Sequence, residues 1–405
     1  MNAPSDQKIS PLYLSVIHLK LIGLLAVGPM VIPNLGREFH LSALEIKAWT
    51  TALLLGAGLS AFGAGALSDA LGRRFLGILG SIVLIVVSLI TGFGWSYWII
   101  IAMAPLLGIL VSLLDVNMDG LVGAISKGRS ASGLFARVLM VSCFLTAGCA
   151  LFFGVLVTTV EGSWRWFFFS LALLNVVTLI LYSHGFPRGT ARTGAFKEVI
   201  PHFKAGFKLL KDPPYLCVVA LGMFTSSTLA AVVTDGPSVL SFTMKANGWV
   251  YGGVFAGLAL MGALGYLTGL LMSRRFSPGT QTICGSIVMA LSGAAMLVAI
   301  LRFPGDPVAI GIPMATSFFG NTLVTAANLA LATDMVHVDP SVGASMITIF
   351  KRLVPMLLSM LLVGLTLAGL DTGGMAMSIS VLSCGSLALI ASILCVRLKV
   401  DPIKS

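Results

Sequence analysis

The sequence predicts an all-α membrane protein in which twelve transmembrane helices form two pseudo-symmetric six-helix halves. Apolar residues make up 57% of the 405 residues and charged residues only 10%, whereas soluble globular chains carry about 25% charged residues. Twelve apolar runs have lengths close to the roughly 20 residues that a helix needs to cross a bilayer. A short motif also recurs in both halves. This composition excludes a soluble enzyme and a disordered chain.

The apolar runs give the spans in chain order. The run from Pro11 to Pro33 is too long for the core of a signal peptide and more spans follow it, so we expect an uncleaved helix there. The predicted spans are 12–34, 44–67, 75–94, 97–120, 133–157, 164–184, 214–240, 250–272, 280–301, 308–331, 344–368 and 375–396.

A polar, basic stretch divides the spans into two groups of six. We predict an N-terminal six-helix bundle over residues 1–184, a cytoplasmic linker over 185–212 and a C-terminal six-helix bundle over 213–405. Within the linker, lysines stand between Phe203, Phe207 and Leu210. This pattern predicts an amphipathic segment that lies flat on the membrane surface.

The Lys and Arg residues are distributed unequally between the two membrane faces. Seventeen of the 25 lie on the side of the termini and the linker, and five lie on the other side, among them Lys47. This bias predicts cytoplasmic termini and a multi-pass protein of the plasma membrane, the bacterial inner membrane. The expected partners of the basic residues are anionic lipid headgroups and not nucleic acid, because no basic cluster lies in a soluble domain.

A glycine-rich motif follows the second span. Its residues are Gly65, Asp69, Gly72, Arg73 and Arg74, and Arg73-Arg74-Phe75 recurs after the eighth span as Arg274-Arg275-Phe276. In these residues the chain resembles the major facilitator superfamily, which carries such a motif between its second and third spans. The resemblance implies a monomeric transporter of a small molecule, with duplicated halves around a midplane cavity.

The motif also predicts a cytoplasmic gate. Asp69 is expected to pair with Arg73, and Asp119, near the inner end of the fourth span, is placed to join them. Such a pair forms only when the cytoplasmic helix ends are together, so it favours the outward-facing state. The alternative is a positive-inside anchor with one neutralising acid, and Arg74 suits that role better than Arg73.

Within the superfamily, the chain is similar to drug:proton antiporters of the Bcr/CflA type. The similar segments are Gly162-Ser-Trp-Arg-Trp-Phe, Asp235-Gly236-Pro237, Asn321 to Asn328 and Gly343-Ala344-Ser345. The similarity implies proton-coupled export of a drug, a metabolite or a metal-chelating compound. The alternative is a proton-coupled symporter that takes up an organic anion or zwitterion.

The chain departs from the antiporter pattern at three places. It has no carboxylate in the first span, where those antiporters carry one. Ala104 stands where the superfamily has an arginine in the fourth span, and no proline occurs near residues 148–154. A coupling proton therefore needs another site.

Ionisable residues inside the spans are the candidates for proton and substrate binding, because a charge there normally faces a cavity or a partner. Asp115 lies one turn inside Asp119 on the same face of the fourth span; it carries a proton, binds substrate or forms a gate salt bridge. Lys20, about 12 Å into the first span, binds an anionic group, pairs with Asp115 or snorkels to the interface. Lys351 has the same alternatives, and for Arg352 an interface anchor is favoured.

Four further polar residues complete the candidates. Asp235 is either a periplasmic gate residue or a loop acid, and the Gly236-Pro237 pair after it should kink the seventh span. Asn117, Asn321 and Asn328 line the cavity or act as polar packing contacts between helices.

The sequence contains no catalytic constellation. P-loop, dinucleotide-binding and HExxH patterns are absent, and the six cysteines lie in apolar runs without metal-ligand spacing. We therefore expect no enzyme activity, no metal and no cofactor, and we interpret the cysteines as packing residues. A receptor would need a signalling domain, and the chain has none. Uphill transport must then use an ion gradient, and we expect protons.

Overall fold

The computed structural model describes residues 11–125, 129–185, 208–334, 340–370 and 374–398, and every regular element within these ranges is helical. Two short π-helical segments, Gly23–Val27 and Val239–Thr243, accompany thirteen α-helices in the described ranges. The α-helices are α1 (Pro11–Ile22), α2 (Gly28–Glu38), α3 (Ala43–Leu71), α4 (Arg73–Gly92), α5 (Tyr97–Ile125), α6 (Arg129–Thr159), α7 (Trp164–Gly185), α8 (Pro213–Ser238), α9 (Gly248–Met272), α10 (Pro278–Arg302), α11 (Pro307–Asp334), α12 (Pro340–Leu367) and α13 (Met375–Arg397).

Twelve membrane segments account for these helices. By length and composition, ten helices of the described part, α4 to α13, are able to cross a membrane. The other two segments are α3 and the continuous unit of α1, a π turn and α2. Helices suit this environment because each backbone N–H and C=O group is bonded within its own segment. The predicted fold class, an all-α bundle of twelve spans, is confirmed.

The two halves pack according to the same plan. In the N-terminal half α1 packs on α6, α3 on α5 and α4 on α7; in the C-terminal half α8 packs on α12, α9 on α11 and α10 on α13. These pairs join equivalent spans of each half. The halves meet along two seams, α3 against α12 and α6 against α9. A functional site shared by the halves therefore lies between these seams.

The first and seventh spans, which open the two halves, share a local irregularity. The sequence predicts one helix over 12–34, but the structure divides it into α1, the π turn Gly23–Val27 and α2. Pro29, at the start of α2, has no N–H to offer the preceding turn, and a wider turn accommodates this loss. In the seventh span α8 continues through Gly236 and Pro237, and the π turn Val239–Thr243 follows it. The predicted kink is thus a widened turn just beyond Pro237.

The glycine-rich motif belongs to the helices more than to a loop. The backbone of Gly65 and Asp69 lies in the last two turns of α3, and α4 begins at Arg73. Gly72 is the single connecting residue and has a φ of 83°, a conformation that glycine adopts without the steric cost of a Cβ atom. The expected loop between the second and third spans is therefore one residue long.

The outer surface of the bundle suits lipid contact. Large apolar side chains such as Leu79 and Ile82 on α4, Leu173 on α7, Leu291 on α10 and Ile390 on α13 are exposed. They lie on the helices that are third and sixth in each half, so these helices cover the bundle. The predicted amphipathic linker segment falls almost entirely outside the described residues, which resume at Lys208.

Candidate functional site

An ionic cluster joins the halves toward the predicted cytoplasmic end. Asp115 on α5 accepts a hydrogen bond from the guanidinium group of Arg352 on α12 at its Oδ2 atom. On the other side of the same carboxylate, Nε2 of His18 on α1 lies 3.1 Å from Oδ1. All three side chains are largely buried. We name His18, Asp115 and Arg352 the inner cluster.

The inner cluster is a contact between the halves, because His18 and Asp115 belong to the N-terminal half and Arg352 to the C-terminal half. A carboxylate in this apolar setting needs charged partners to offset its loss of hydration. Arg352, which the sequence favoured as an interface anchor, provides such a partner. The expected pairing of Lys20 with Asp115 is replaced by this contact with Arg352.

Lys20 lies on the other side of α1 from His18. It is buried, and its Nζ atom lies 5.5 Å from the ring centroid of Tyr182 on α7. Among the described residues this Nζ atom has no hydrogen-bond partner. An ammonium group over an aromatic face is stabilised by the ring quadrupole. Lys20 therefore points into the N-terminal bundle, and Asp115 is within its electrostatic reach.

Asn117 ties α5 to the motif. Its Oδ1 atom accepts a hydrogen bond of 2.7 Å from Ser68 on α3, and its Nδ2 atom donates one of 2.9 Å to the backbone carbonyl of Arg73. Arg74 donates to the backbone carbonyl of Ser183 on α7. Both contacts lie within the N-terminal half. The side chains of Asp69 and Asp119 and the surroundings of Gly65 lie outside the described residues. The predicted latch therefore lies outside them as well.

A second ionic cluster joins the halves toward the opposite end. Nζ of Lys47, in the second turn of α3, lies 2.9 Å from Oδ1 of Asp235 on α8, and both side chains are buried. The same Nζ atom donates a hydrogen bond of 2.8 Å to Thr366 on α12. We name Lys47, Asp235 and Thr366 the outer cluster. Asp235 is thus a buried residue between the halves and not a loop acid.

Hydroxyl groups continue the outer contact along the seam of α3 and α12. The Oγ1 atom of Thr51 lies 2.7 Å from the Oγ atom of Ser359. Thr234 on α8 also contacts Ser359, at 3.0 Å. These neutral hydrogen bonds are individually weak. Hydrogen bonds to water can therefore replace them.

Asn321 and Asn328 lie inside the C-terminal half. Asn321 on α11 donates to Thr228 on α8 at 3.2 Å. Asn328 packs with Gly222 and the aliphatic part of Lys351 between α8, α11 and α12. A shallow recess adjoins Asn321 and is lined also by Thr228, Leu229, Val232, Leu258, Ser317 and Phe318. This recess has no room for a water-sized molecule, so it is not a preformed small-molecule site.

Sequence reasoning missed the importance of His18 and Lys47 and undervalued Arg352. Lys47 was counted among the external charges that set topology, yet it is only 3% exposed. One sequence signal could have identified them: each is an ionisable residue within or beside an apolar run. A charge in such a position costs free energy unless it is paired. The partner was not visible, because Lys47 and Asp235 are far apart in sequence and meet only across the seam.

The described residues contain no group of three or more His, Cys, Asp or Glu side chains that could hold a metal ion. The six cysteines form no disulfide bond. The described ionisable groups at the seams form ion pairs that join the halves.

Solved structures share this fold. A structure of the major facilitator superfamily proton:xylose symporter XylE, bound to 6-bromo-6-deoxy-D-glucose, matches with a TM-score of 0.73 at 15% identity, covering 97% of this chain and 96% of that chain. A D-xylose-proton symporter matches with a TM-score of 0.72 at 12% identity, covering 97% and 99%. Such low identities establish a common fold alone.

Comparison with curated proteins gives no match. The family profile described as Major Facilitator Superfamily matches residues 16–351, a range that contains His18, Asp115, Lys47 and Asp235 and ends just before Arg352. Because this match extends over most of the sequence and the fold agrees with it, the chain belongs to the major facilitator superfamily.

Proposed function

We propose that this secondary transporter exports a small organic molecule from the cytoplasm and that protons entering the cell drive the export. The observation that carries the proposal is the pair of buried ionic clusters, one toward each end of the interface between the halves. A transporter that works by alternating access must close one end of its cavity while the other end is open. Contacts of this kind, made between the halves and reversible, suit that requirement.

Each cluster opposes the opening of its own end. Opening the outer end separates Lys47 from Asp235, and opening the inner end separates Asp115 from Arg352. A buried charge that loses its partner is costly until water or another ligand replaces that partner. The transporter therefore gains stability by keeping at least one cluster closed, and this limits leakage of solutes and protons.

The predicted cytoplasmic latch adds to the inner cluster in this proposal. Asp69, Arg73 and Asp119 would pair when the inner helix ends are together, and Gly72 gives the tight turn that brings α4 back onto α3. The termini and linker are assigned to the cytoplasm by the Lys and Arg bias. The protein is proposed to act as a monomer in the plasma membrane.

The direction of transport rests on sequence resemblance. The segments Gly162–Phe167 and Asp235–Pro237 are similar to those of Bcr/CflA-type antiporters, and this similarity supports export. The solved structures with the same fold are of proton-coupled sugar symporters. Proton-coupled uptake of an organic anion or zwitterion is the second candidate function.

The charges around the inner cluster favour a substrate with a negative group in either direction of transport. Lys20, Lys351 and Arg352 all act electrostatically on Asp115. Among these described side chains, three bases surround one acid. A carboxylate or a metal-chelating compound would balance this excess, whereas a purely cationic drug would increase it.

The function is tested in two stages. Metabolite profiling compares the medium and the cytoplasm of cells with and without the protein, and it yields a compound that depends on it. That compound is then added to inverted membrane vesicles with an acidic lumen, while a pH-sensitive dye reports the gradient. We expect the compound to accumulate in the lumen and to dissipate the gradient. Inversion places the cytoplasmic face of an exporter on the outside of the vesicle, so the exporter moves its substrate into the lumen in exchange for lumenal protons.

Two outcomes would contradict export. If the compound is depleted from the medium of expressing cells and protons enter those cells with it, the protein is a symporter. If wild-type protein moves the compound without any response of the dye, protons are not coupled. Asp115→Asn should abolish coupled flux, and Asp212→Asn, an exposed acid outside the spans, is the matched control.

A further inference from the structure

Asp115 has two basic partners that come from different halves of the molecule. His18 approaches Oδ1 from α1, which belongs to the same half as Asp115, while Arg352 approaches Oδ2 from α12 in the other half. The sequence leaves Asp115 as a proton carrier, a substrate ligand or a gate residue. Resting on the proposed proton-coupled transport, we propose that His18 takes the coupling proton. The charged His18 side chain then competes with Arg352 for the Asp115 carboxylate.

The geometry makes Asp115 an unsuitable proton carrier while the inner cluster is closed. Both of its carboxylate oxygens contact nitrogen atoms of basic side chains. A proton on Oδ2 would displace Arg352, and a guanidinium group does not release its own proton in proteins. Arg352 would then remain charged and buried without its partner, which is costly. Asp115 is therefore the fixed negative charge of the cluster.

His18 has the capacity that Asp115 lacks. Its side chain is buried, and Nδ1 has no hydrogen-bond partner among the described residues. With hydrogen on Nε2, which lies 3.1 Å from Oδ1 of Asp115, the neutral ring keeps a lone pair on Nδ1. A proton added at Nδ1 leaves this contact in place and turns it into an ion pair. Imidazole is also the side chain that most readily changes its charge near neutral pH.

The groups around the cluster set the consequence of protonation. Among the described residues, the charged or titratable side chains around the Asp115 site include Lys20 on α1, Tyr182 on α7, and Lys351 and Arg352 on α12, with Tyr13 of α1 acting on Tyr182. From α6, the described polar contacts with α1 join Ser15 to the hydroxyl group of Ser142 and to the backbone carbonyl of Val138, and the side chains of Phe135 and Val138 add apolar packing. A proton on His18 therefore adds positive charge beside existing bases.

Protonation and inner closure are then mutually antagonistic. A charged His18 binds Asp115 more tightly within the N-terminal half and repels Arg352 in the other half. The inner end loosens when His18 is protonated and closes when the proton leaves. For an antiporter this is the productive direction, because the protonated, outward-facing protein must return to the inward-facing state and release its proton there.

Distance measurements at the inner end test this inference without a substrate. Spin labels are attached at Phe75→Cys and Phe276→Cys, exposed positions near the inner ends of α4 and α9, in a full-length chain whose six native cysteines are replaced by alanine. Between about pH 8 and about pH 5.5, the range in which imidazole ordinarily titrates, we expect the population with a longer distance to grow in the wild-type background.

Variants at position 18 separate the possible causes. His18→Gln should remove the pH response, and His18→Arg, which stays charged, should favour the longer distance at both pH values. His184→Gln is the matched control, because His184 is an exposed histidine on α7; it should respond as the wild type does. Arg352→Gln should favour the longer distance at both pH values, because it removes the partner that holds the inner end closed. If His18→Gln fails to fold, the distances in Arg352→Gln and His18→Arg still test the inference.

A flux experiment connects the switch to transport. In proteoliposomes, His18→Gln should lose proton-driven flux by about tenfold, a coupling effect of ordinary size, while substrate counterflow, which needs no net proton movement, stays near wild type. A pH response that persists in His18→Gln, or is absent in wild type, overturns the inference. Absence of proton-driven flux in wild type would instead refute the proposed function, whatever the distances show.

Discussion

At the scale of single residues, buried charges that pair across the interface mark the contacts that we propose separate during transport. Lys47 and Asp235 face each other from α3 and α8, and Asp115 and Arg352 from α5 and α12. A charge whose contact lies within one bundle keeps that contact when the halves move, as Lys20 does with the Tyr182 ring. A charge balanced across the seam is balanced only while that end is closed. The location of the partner therefore distinguishes a structural charge from a gate.

The outer cluster makes a quantitative prediction. Lys47→Gln leaves the Asp235 carboxylate buried without its cation, so we expect a loss of about 3–5 kcal/mol in the free energy of unfolding. Thermal unfolding in detergent measures it as a lower Tm. The exchanged pair, Lys47→Asp with Asp235→Lys, should recover much of the loss. Lys245→Gln, at an exposed position on the same side, is the control, and an equal drop there would contradict the assignment.

At the scale of helices, α3 and α5 approach each other through reciprocal glycines. A Cβ atom added at Gly56 would lie 2.0 Å from the backbone oxygen of Pro105, and one added at Gly108 would lie 2.0 Å from the backbone oxygen of Leu53. Neither helix leaves room for a side chain at these points. The contact holds Lys47 and Asp115, which lie on these helices, in a fixed relation to each other.

Gly56→Ala should therefore separate α3 from α5. We expect a destabilisation of about 1–3 kcal/mol, the usual cost of overpacking a close contact, measured as a lower Tm in detergent. Gly257→Ala on α9 is the control, because nothing lies within 4 Å of its added Cβ atom and alanine favours the helix. If both variants unfold at the same temperature as wild type, the α3–α5 contact is looser than described.

The outer ends of α2 and α7 are joined by an ion pair beyond the apolar spans. The guanidinium group of Arg165 donates to both carboxylate oxygens of Glu38, at 2.8 and 2.7 Å, and Nε1 of Trp164 donates to one of them at 2.6 Å. The hydrogen bond from Arg165 holds the pKa of Glu38 below its usual range. Because the folded state has the lower pKa, the pair contributes stability at neutral pH, and that contribution disappears as the pH falls through the lowered pKa.

Glu38→Gln should lower the Tm modestly at pH 7, by an amount that corresponds to about 1 kcal/mol or less, because the pair is partly exposed. The difference from wild type should shrink as the pH falls through the lowered pKa of Glu38, where the wild-type carboxylate also becomes protonated. Unfolding scans at a series of pH values give this comparison. A gap that widened on acidification would show the opposite sign of linkage.

At the scale of the whole molecule, the two ionic clusters that join the halves are formed at the same time. Between them, α3 stays against α12. Membership of the superfamily makes the protein a secondary transporter and confirms that it is not an enzyme. In the proposed cycle one end then opens at a time, with the halves moving against each other.

A cross-link across the seam tests that motion. Thr51→Cys with Ser359→Cys replaces hydroxyl groups whose oxygen atoms are 2.7 Å apart, near enough for a disulfide bond after small adjustments. Oxidation should stop transport, and a reductant should restore it, because the outer end cannot open while the bond is present. Each single variant treated with oxidant is the control. Full transport by the cross-linked protein would show that this seam stays closed throughout the cycle.

The sequence by itself determined the class of the protein, the number of spans and the family, and it proposed several candidate site residues. Apolar runs, loop charge and short motifs are local properties, so they can be read without coordinates. Asp115 and Asp235 also stood out in the sequence, because an acid inside a span is costly and normally faces a partner or a cavity. What no local pattern contains is the identity of a partner on another helix.

Only the tertiary structure decided which charges meet. It joined Lys47 to Asp235, placed Arg352 and His18 on the two oxygens of Asp115, and turned Lys20 toward Tyr182. These outcomes depend on helix rotation and on the register of α3 and α5 against α8 and α12. Packing sets both through contacts between residues distant in sequence, such as the reciprocal glycines of α3 and α5. The ionic clusters are therefore a property of the assembled halves.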